Sequence, residues 1–332
     1  MRAATIILTS ALVLAACGGD DDVVSTTGTP AAIDSIDTDS WDVQGHRGAR
    51  GLRPENTLPS FEAALDVGVS TLELDLHFSA DGVVVIWHDP EIDPEKCVAT
   101  DAGLPSADEE PAIRVLTADQ LSAYVCNLNP STSKYPDQVA ESGEISGDAY
   151  GIATLQSLFE MVDEYANDAG KTEEQRANAA TVQFNIETKR DPRNPETMGD
   201  TFDGTNPGEF EIAIVALITE WGYEDRAIVQ SFDHRSLWAL HTIGPSVRLA
   251  ALTTDPIPDF TGLVESGAAI WSPRFSVLSA TVVADAQEAG LQVIPWTVNE
   301  QNDVCSMLTM GTDGVITDRP DLVLGGWLAN CG

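Results

Sequence analysis

Short runs of β-branched and apolar residues alternate with amphipathic stretches along most of this chain. The pattern predicts eight strands, near residues 43–45 and at 71–76, 181–187, 227–231, 248–252, 268–271, 292–296 and 314–316. Repeated strand and helix units are typical of a parallel sheet, and eight such units predict a (β/α)8 TIM barrel. We expect the barrel to span residues 41–328, with a short tail over residues 329–332.

Two local patterns add detail to this prediction. Residues 58–66 form an amphipathic helix in which Phe61, Ala64 and Leu65 share one face. Pro59 falls in its first turn, where a helix tolerates proline. Residues 83–87 are a ninth candidate strand, which we expect to return as a hairpin because Asp-Gly, a turn signal, precedes it.

The regular alternation lapses between His88 and Ile152. Proline, aspartate, serine and glycine accumulate there around one helix-like piece at residues 117–125. A loop of this length is uncommon in a compact domain unless it has a function. We therefore predict an insertion over about residues 89–151 that covers the C-terminal mouth of the barrel.

The N-terminus has the pattern of a secretion signal. Its apolar run, residues 3–16, is shorter than the ~20 residues that cross a bilayer. The run ends in Leu-Ala-Ala-Cys, which resembles the lipobox of bacterial lipoproteins. We expect a signal peptide over residues 1–16, a lipidated Cys17 and a disordered tether over residues 17–40. An ordinary signal peptide with an incidental Cys17 is the alternative.

The chain is strongly acidic, with a formal net charge of −36 from 53 acidic and 17 basic residues. Nucleic acid is therefore an implausible partner, and electrostatic docking onto anionic lipid is equally disfavoured. Together with the leader, this charge predicts a protein of the bacterial cell envelope whose contact with the membrane is the lipid anchor alone.

Four cysteines remain once Cys17 is set aside, an even number in a chain with a secretion signal. Two disulfides are therefore expected. Three pairings are possible, and we favour the local one, in which each bond stays inside one region: Cys97 with Cys126 and Cys305 with Cys331. Four buried thiols are the alternative, and zinc is not indicated because no Cys-x-x-Cys occurs.

Acidic residues lie near the strand ends at which barrel enzymes place their active groups. Glu73 and Asp75 are two apart on one predicted strand, so both point into the barrel, and Glu187 ends the next strand. Three converging carboxylates would repel one another, which a hard divalent cation relieves. An all-oxygen set favours one Ca²⁺ or Mg²⁺ over zinc. Solvated strand-end carboxylates are the alternative.

His46 and His88 occur in the same motifs as these carboxylates, and imidazole exchanges protons near neutral pH. We predict that the two histidines form a catalytic acid-base pair. A buried structural histidine is the alternative, and it is the role that we assign to His77. His234 and His241 fall on the helix after the fourth strand, and no role is predicted for them.

Two cations stand at strand ends in this acidic chain. Arg47 offers a guanidinium fork and Lys189 a point charge for phosphate oxygens. We group Glu55 with these substrate-binding residues, where it is either a further metal ligand or the partner that holds Arg47. Asn56 is a candidate cap of the following helix.

The order of the motifs resembles the glycerophosphodiester phosphodiesterase family. The first segments are HRGARGLRPENTLPSF and STLELDLHFSADGVVVIWHD, and the later ones are FNIETK, QSF, WTVN and DGVITD. The resemblance runs from residue 45 to residue 320. It implies metal-dependent hydrolysis of small glycerophosphodiesters to glycerol-3-phosphate and an alcohol, and it agrees with an insertion after the His-Asp strand.

The resemblance also implies a mechanism. One histidine deprotonates the 2-hydroxyl of the substrate glycerol, the other protonates the departing alcohol, and water then opens the cyclic phosphate. Trp296 would supply an apolar wall for the glycerol carbons, with simple core packing as its alternative. Two other functions stay open: a phospholipase-D-like enzyme of the same superfamily that acts on lysolipid or sphingolipid, and a non-catalytic lipoprotein that binds phosphodiesters.

Overall fold

A barrel of parallel strands forms the centre of the computed structural model, which describes residues 40–331. The strands are β1 (Asp42–Gly45), β2 (Thr71–Phe78), β3 (Val84–Ile86), β4 (Val98–Ala99), β5 (Tyr124–Val125), β6 (Gln183–Thr188), β7 (Ala227–Ser231), β8 (Arg248–Thr253), β9 (Ile270–Pro273), β10 (Gln292–Val293) and β11 (Gly314–Thr317). Eight of them pair in the order β10, β9, β8, β7, β6, β2, β1, β11. The predicted hairpin is confirmed, because β3 pairs antiparallel with β2.

The two ends of this order meet and nearly close the barrel. The backbone N–H of Asp313 donates to the carbonyl of Val293 (2.9 Å), and that of Ile316 donates to the carbonyl of Pro295 (2.9 Å). Proline has no N–H for a neighbouring strand, so β10 ends at Val293 although the sequence predicted a strand up to residue 296. The predicted (β/α)8 barrel is thus confirmed.

Helices connect the strands around the outside. They are α1 (Leu58–Val67), α2 (Ala118–Ser122), α3 (Leu155–Asn167), α4 (Glu173–Thr181), α5 (Glu209–Trp221), α6 (His234–His241), α7 (Phe260–Glu265), α8 (Ala280–Glu288), α9 (Gln301–Met310) and α10 (Pro320–Leu322). The Thr57 hydroxyl caps α1 by accepting from the backbone N–H of Ser60, and Gly68 ends it with a φ of 85°. Between residues 40 and 331, no helix is long and apolar enough to span a membrane.

Apolar side chains fill two separate layers. A small cluster inside the barrel consists of Ile228, Ala250, Ile270, Ile294 and Ile316. A larger cluster lies between the strands and the outer helices, and it includes Phe61, Leu72, Leu74, Phe159 and Phe184. Because successive side chains of a strand point to opposite faces, the leucines of β2 pack outward and its acidic residues point inward.

The β2 strand is longer than the sequence predicted. It continues to Phe78 because its last residues leave the barrel to pair with β3, with Leu76 opposite Ile86 and Phe78 opposite Val84. Glu73 and Asp75 therefore lie in the middle of β2 and not at its end. Their carboxylates still reach the mouth of the barrel, because the barrel part of the strand stops close to Leu76.

The insertion has its own small core. Its strands β4 and β5 pair antiparallel, and its buried apolar side chains include Trp87, Ile92, Ile113, Leu121 and Tyr124. A disulfide joins Cys97 to Cys126, as the sequence predicted. Where the insertion returns to the barrel, the Glu62 carboxylate of α1 accepts hydrogen bonds from the backbone N–H groups of Glu144 (3.0 Å) and Ser146 (2.8 Å).

The second disulfide joins Cys305 on α9 to Cys331, again as the sequence predicted. It ties the end of the described chain to the outside of the barrel. The predicted signal peptide and the lipidated Cys17 lie outside the described residues, as does almost all of the predicted tether.

Candidate active site

A cleft of about 550 Å³ opens at the carboxyl ends of the barrel strands, with residues of the insertion along one side. It brings together nearly all of the residues that the sequence predicted for the site. The residues lining it include His46, Arg47, Glu55, Glu73, His88, Glu187, Lys189 and Trp296. Asp75, the remaining one, is buried against Glu73 and Glu187.

A tight turn after β1 sets the position of His46. Arg47 and Gly48 have left-handed backbone conformations, with φ values of 53° and 83°. A Cβ on Gly48 would lie 2.6 Å from the backbone carbon of Ser60, so the turn requires glycine. The turn directs the backbone N–H of Arg47 to Glu73 Oε2 (2.8 Å) and leaves His46 Nε2 3.9 Å from that oxygen.

Three buried carboxylates converge beneath this turn. Oxygens of Glu73, Asp75 and Glu187 lie within 4.8 Å of one another. The parallel register of β2 and β6 produces this cluster, because it places Asp75 directly opposite Glu187. Asp75 Oδ1 is buried without a hydrogen-bond partner, and Lys189 Nζ lies 3.4 Å from it.

The electrostatics of this triad suit a cation. Burial, followed by repulsion from Asp75 and Glu187, raises the pKa of Glu73 well above its usual value. Burial also raises the pKa of Glu187. Arg47 and Lys189 hold the pKa of Asp75 well below its usual value although burial opposes them. Like charges at this spacing are relieved by a hard divalent cation, which prefers oxygen donors. The three carboxylates therefore fit a metal site.

Each carboxylate of the triad is also fixed by a neighbouring donor at 2.8 Å: Gln230 Nε2 for Glu73 Oε1, Asn56 Nδ2 for Asp75 Oδ2 and Lys189 Nζ for Glu187 Oε1. Asn56 thus orients Asp75 and does not cap α1, which is the task of Thr57. Its backbone is left-handed, with a φ of 57°, a conformation that asparagine tolerates.

A carboxylate holds His46 at Nδ1, which lies 2.6 Å from Asp318 Oδ1. Arg50 and Asn299 donate to the same carboxylate at 2.9 Å and 2.8 Å. His46 and Arg50 keep the pKa of Asp318 well below its usual value despite burial, so the carboxylate accepts and Nδ1 donates. Burial and then Arg50 lower the pKa of His46 to about 4. At neutral pH the ring is therefore uncharged, with a free lone pair on Nε2.

His88 has the same arrangement but is more open, with 30% of its side chain exposed. Its Nδ1 lies 2.7 Å from Asp89 Oδ1, and Lys96 Nζ donates to Asp89 Oδ2 at 2.6 Å. His88 and Lys96 lower the pKa of Asp89 although partial burial opposes them. Asp89 is therefore an ionised acceptor, and the other ring nitrogen of His88 is left for the cleft.

Glu55 holds cations and is not one of the three converging carboxylates. Its Oε1 accepts from Arg47 Nη1 at 2.8 Å and lies 3.1 Å from Lys96 Nζ, and its Oε2 accepts from Arg50 Nη1 at 3.0 Å. The sequence left two roles open for Glu55, a further metal ligand or the partner of Arg47. These contacts correspond to the second. Arg47 also lies 3.0 Å from Asp75, so it links Glu55 to the triad.

One wall of the cleft is apolar. The Trp296 indole N–H donates to the carbonyl of Ser272 (3.0 Å), which fixes the ring, and Phe232 packs edge-on against it at 5.5 Å. Phe232 is 43% exposed. The wall continues at Leu252, which also lines the cleft.

The sequence predicts no role for several residues in and beside the cleft. Phe232, Asn299 and Asp318 follow barrel strands, so the strand-end rule was a signal for them. Arg50 is close to His46 in the first motif. Lys96 has no comparable signal, because it comes from the insertion.

The structural role predicted for His77 agrees with its position. The side chain is buried, and its Nε2 lies 3.2 Å from the backbone carbonyl of His88. Burial lowers the pKa of His77 to about 4, so the ring is uncharged near neutral pH. It supports the chain at His88 and does not reach the triad through any described contact.

Residues 46–322 match the profile of the Glycerophosphoryl diester phosphodiesterase family. A glycerophosphodiester phosphodiesterase of Bacillus altitudinis is 29% identical over 280 residues, which cover 83% of this chain and 94% of that protein. One of Caldanaerobacter subterraneus is 25% identical over 289 residues, covering 85% of this chain and 96% of that protein.

Solved structures give the same result. A Silicibacter pomeroyi protein assigned to the glycerophosphoryl diester phosphodiesterases superimposes with a TM-score of 0.69 at 27% identity, covering 88% of this chain and 92% of that one. An Oleispira antarctica phosphodiesterase, solved with the product sn-glycerol-3-phosphate, has the same fold, with a TM-score of 0.64 at 20% identity and 87% and 96% coverage. The chain described here therefore belongs to the glycerophosphoryl diester phosphodiesterase family.

Proposed function

We propose that the protein hydrolyses glycerophosphodiesters to glycerol-3-phosphate and an alcohol. His46 and His88 would be its acid-base pair. Glu73, Asp75 and Glu187 would hold one Ca²⁺ or Mg²⁺. The proposal is carried by one observation: two carboxylate-held histidines lie in the cleft that contains this triad. The glycerol-3-phosphate bound to the Oleispira antarctica relative supports the choice of substrate.

The first chemical step is a transfer to the substrate's own hydroxyl. His46 Nε2, uncharged at neutral pH, takes the proton of the glycerol 2-hydroxyl as its oxygen bonds to phosphorus. The bond from phosphorus to the departing alcohol breaks, and His88, which enters this step as an imidazolium, gives that oxygen its Nε2 proton. Asp318 and Asp89 stay ionised behind the two rings and stabilise the imidazolium forms.

The second step reverses these roles. His88 takes a proton from water as the water oxygen bonds to phosphorus. The bond from phosphorus to the 2-oxygen breaks, and His46 returns its proton to that oxygen. Because the first nucleophile belongs to the substrate, the protein needs no serine or cysteine nucleophile.

Positively charged side chains beside the triad would bind the phosphate. Arg47 and Lys189 both line the cleft and offer donors to non-bridging phosphate oxygens. A divalent cation at the triad would polarise the same phosphate as a Lewis acid. Glu55 keeps the Arg47 guanidinium in place, so the binding geometry is set before the substrate enters.

The binding role of the apolar wall can be tested at Phe232, because this side chain is exposed in the cleft and belongs to neither the acid-base pair nor the triad. Phe232→Ala is expected to raise KM by about 3- to 10-fold, the effect of losing a partly buried aromatic contact, with kcat little changed. Steady-state kinetics on one glycerophosphodiester measure both constants. A fall in kcat at constant KM would contradict a binding role for this wall.

The proposed reaction is tested by measuring release of glycerol-3-phosphate from glycerophosphocholine, glycerophosphoethanolamine and glycerophosphoglycerol. We expect turnover of at least one of these diesters. Lysophosphatidylcholine and sphingomyelin are assayed in parallel, with choline release as the signal for sphingomyelin and lysophosphatidic acid for the lysolipid. Cleavage of the lipids alone would point to the phospholipase-D-like alternative, and binding without turnover of any diester to a non-catalytic lipoprotein.

We also propose that Cys17 anchors the protein in the bacterial cell envelope. Cys17→Ser is expected to move the protein from the membrane to the soluble fraction while phosphodiesterase activity is retained, because the cleft residues begin at His46. One acyl chain holds a protein only marginally, so stable retention requires more than one. If the variant stayed in the membrane fraction after a high-salt wash, another part of the chain would be the anchor.

A further inference from the structure

Both histidines belong to one chain of charged groups. His46 is held by Asp318, and Arg50 bonds Asp318 on one side and Glu55 on the other. Separately, His88 is held by Asp89. Lys96 Nζ lies 3.1 Å from Glu55 Oε1 and 2.6 Å from Asp89 Oδ2, so it joins the two halves.

Acceptors enclose the Lys96 ammonium. A third carboxylate oxygen, Asp93 Oδ2, lies 3.4 Å away, and the centre of the Trp87 ring lies 5.4 Å away. Only 15% of the side chain is exposed. Lysine has three donors, and here three protein carboxylates lie within 3.4 Å of its nitrogen. Lys96 lies at the edge of the cleft, but its contacts with protein carboxylates indicate that it holds these groups and does not bind substrate.

The insertion fixes Lys96 from both sides of its backbone. The N–H of Lys96 donates to the carbonyl of Asp93 (3.0 Å), and its carbonyl accepts from the N–H of Leu128 (3.1 Å). The next residue, Cys97, is disulfide-bonded to Cys126 in the same insertion. The cation therefore reaches Asp89 from a part of the insertion that backbone hydrogen bonds and a disulfide hold in place.

Asp89 needs such support. It lies in the loop after β3, and 35% of its side chain is exposed, so water competes for its oxygens. We propose that Lys96 is a positioning residue that fixes the Asp89 carboxylate and, through it, the ring of His88. This inference rests on the proposed function only in that His88 is taken to move protons in the reaction.

A double-mutant cycle tests whether Lys96 acts through Asp89. Lys96→Met and Asp89→Asn are each expected to lower kcat by about 10- to 100-fold, the range known for the partners that orient metal-bound histidines, with KM within about 2-fold. Adding Lys96→Met to Asp89→Asn should cost less than about 2-fold more, because coupled residues are not additive. Multiplied losses, or a raised KM at unchanged kcat, would overturn the proposal.

Two further variants separate positioning from charge and folding. Lys96→Arg keeps a cation with several donors and is expected to recover most of kcat. Arg114→Met removes a positive charge from an exposed position of the same insertion and should leave kcat and KM unchanged. If Lys96→Met does not fold, Lys96→Gln replaces it in the same cycle. A Lys96→Arg enzyme as slow as the neutral variants would count against the proposal.

One measurement does not depend on turnover. The imidazole ¹⁵N signals of His88, assigned by their loss in His88→Ala, report whether Nδ1 carries the proton. With the His88 ring in its neutral form, we expect one dominant tautomer in the wild-type protein and averaged signals in Lys96→Met. An unchanged spectrum would refute the positioning role even in an active enzyme. A changed spectrum in a protein that hydrolyses no diester would uphold it while the proposed function fails.

Discussion

Alanine at His46 or at His88 is expected to lower kcat by about 10²- to 10⁴-fold, the range for loss of a group that transfers a proton in the transition state. The two rings have different surroundings: His46 is buried against Asp318, whereas His88 is partly exposed beside Asp89. Both keep one ring nitrogen for the cleft. The loss should appear in kcat on a glycerophosphodiester, with folding preserved in thermal unfolding.

A matched histidine variant controls for general damage. His241→Ala removes an imidazole from the end of α6, outside the cleft, and should leave kcat unchanged. The acid-base assignment would be wrong if a His46 or His88 variant kept near-normal turnover while His77→Ala lost it. His77 touches the chain at His88, so it is the residue most able to replace the assignment.

Chelation with EDTA is expected to abolish activity, and Ca²⁺ or Mg²⁺ should restore it. Without a cation, Glu73, Asp75 and Glu187 place like charges within 4.8 Å of one another where the phosphate has to bind. Zinc should substitute poorly, because all three proposed ligands are oxygens. Full activity in metal-free buffer would contradict the proposed site.

Titration calorimetry on the apo protein locates the cation without an activity assay. Asp75→Asn should weaken binding of Ca²⁺ or Mg²⁺ strongly, because it removes one of the charges that balance the ion. Asp285→Asn, which removes an exposed carboxylate from α8, should bind the ion as the wild type does. Equal affinities for the two variants would place the ion elsewhere.

The sequence predicted the barrel and most of the cleft because strand-end residues meet wherever parallel strands close on themselves. Glu73, Asp75 and Glu187 could be grouped before the register of β2 and β6 was known. The limits of strands were less predictable: Thr181 ends α4 and lies before β6, and Pro295 shortens β10. Both strand limits depend on hydrogen bonds to neighbouring strands, and the sequence of one segment alone does not specify these bonds.

Residues held by the insertion could not be placed from the sequence. Lys96 reaches Asp89 and Glu55 only because the path of the insertion, tied by a disulfide, brings it back over the barrel mouth. Asn56 also differed from its prediction, since the hydroxyl of the next residue, Thr57, caps α1 and frees the amide for Asp75. Such contacts depend on tertiary structure and leave no periodic pattern in the chain.

The seam at which β11 meets the short β10 is a site where we expect the barrel to open locally. Within the described residues, three backbone hydrogen bonds cross it, donated by Asp313, Ile316 and Val298, and Pro295 has no N–H to donate another. Local opening starts where such protection is thinnest. Asp318, which holds His46, and Asn299, which donates to Asp318, follow the two strands of this seam. On heating, opening of this seam would release the Asp318 carboxylate, so loss of the His46 alignment, and with it of activity, is expected before global unfolding.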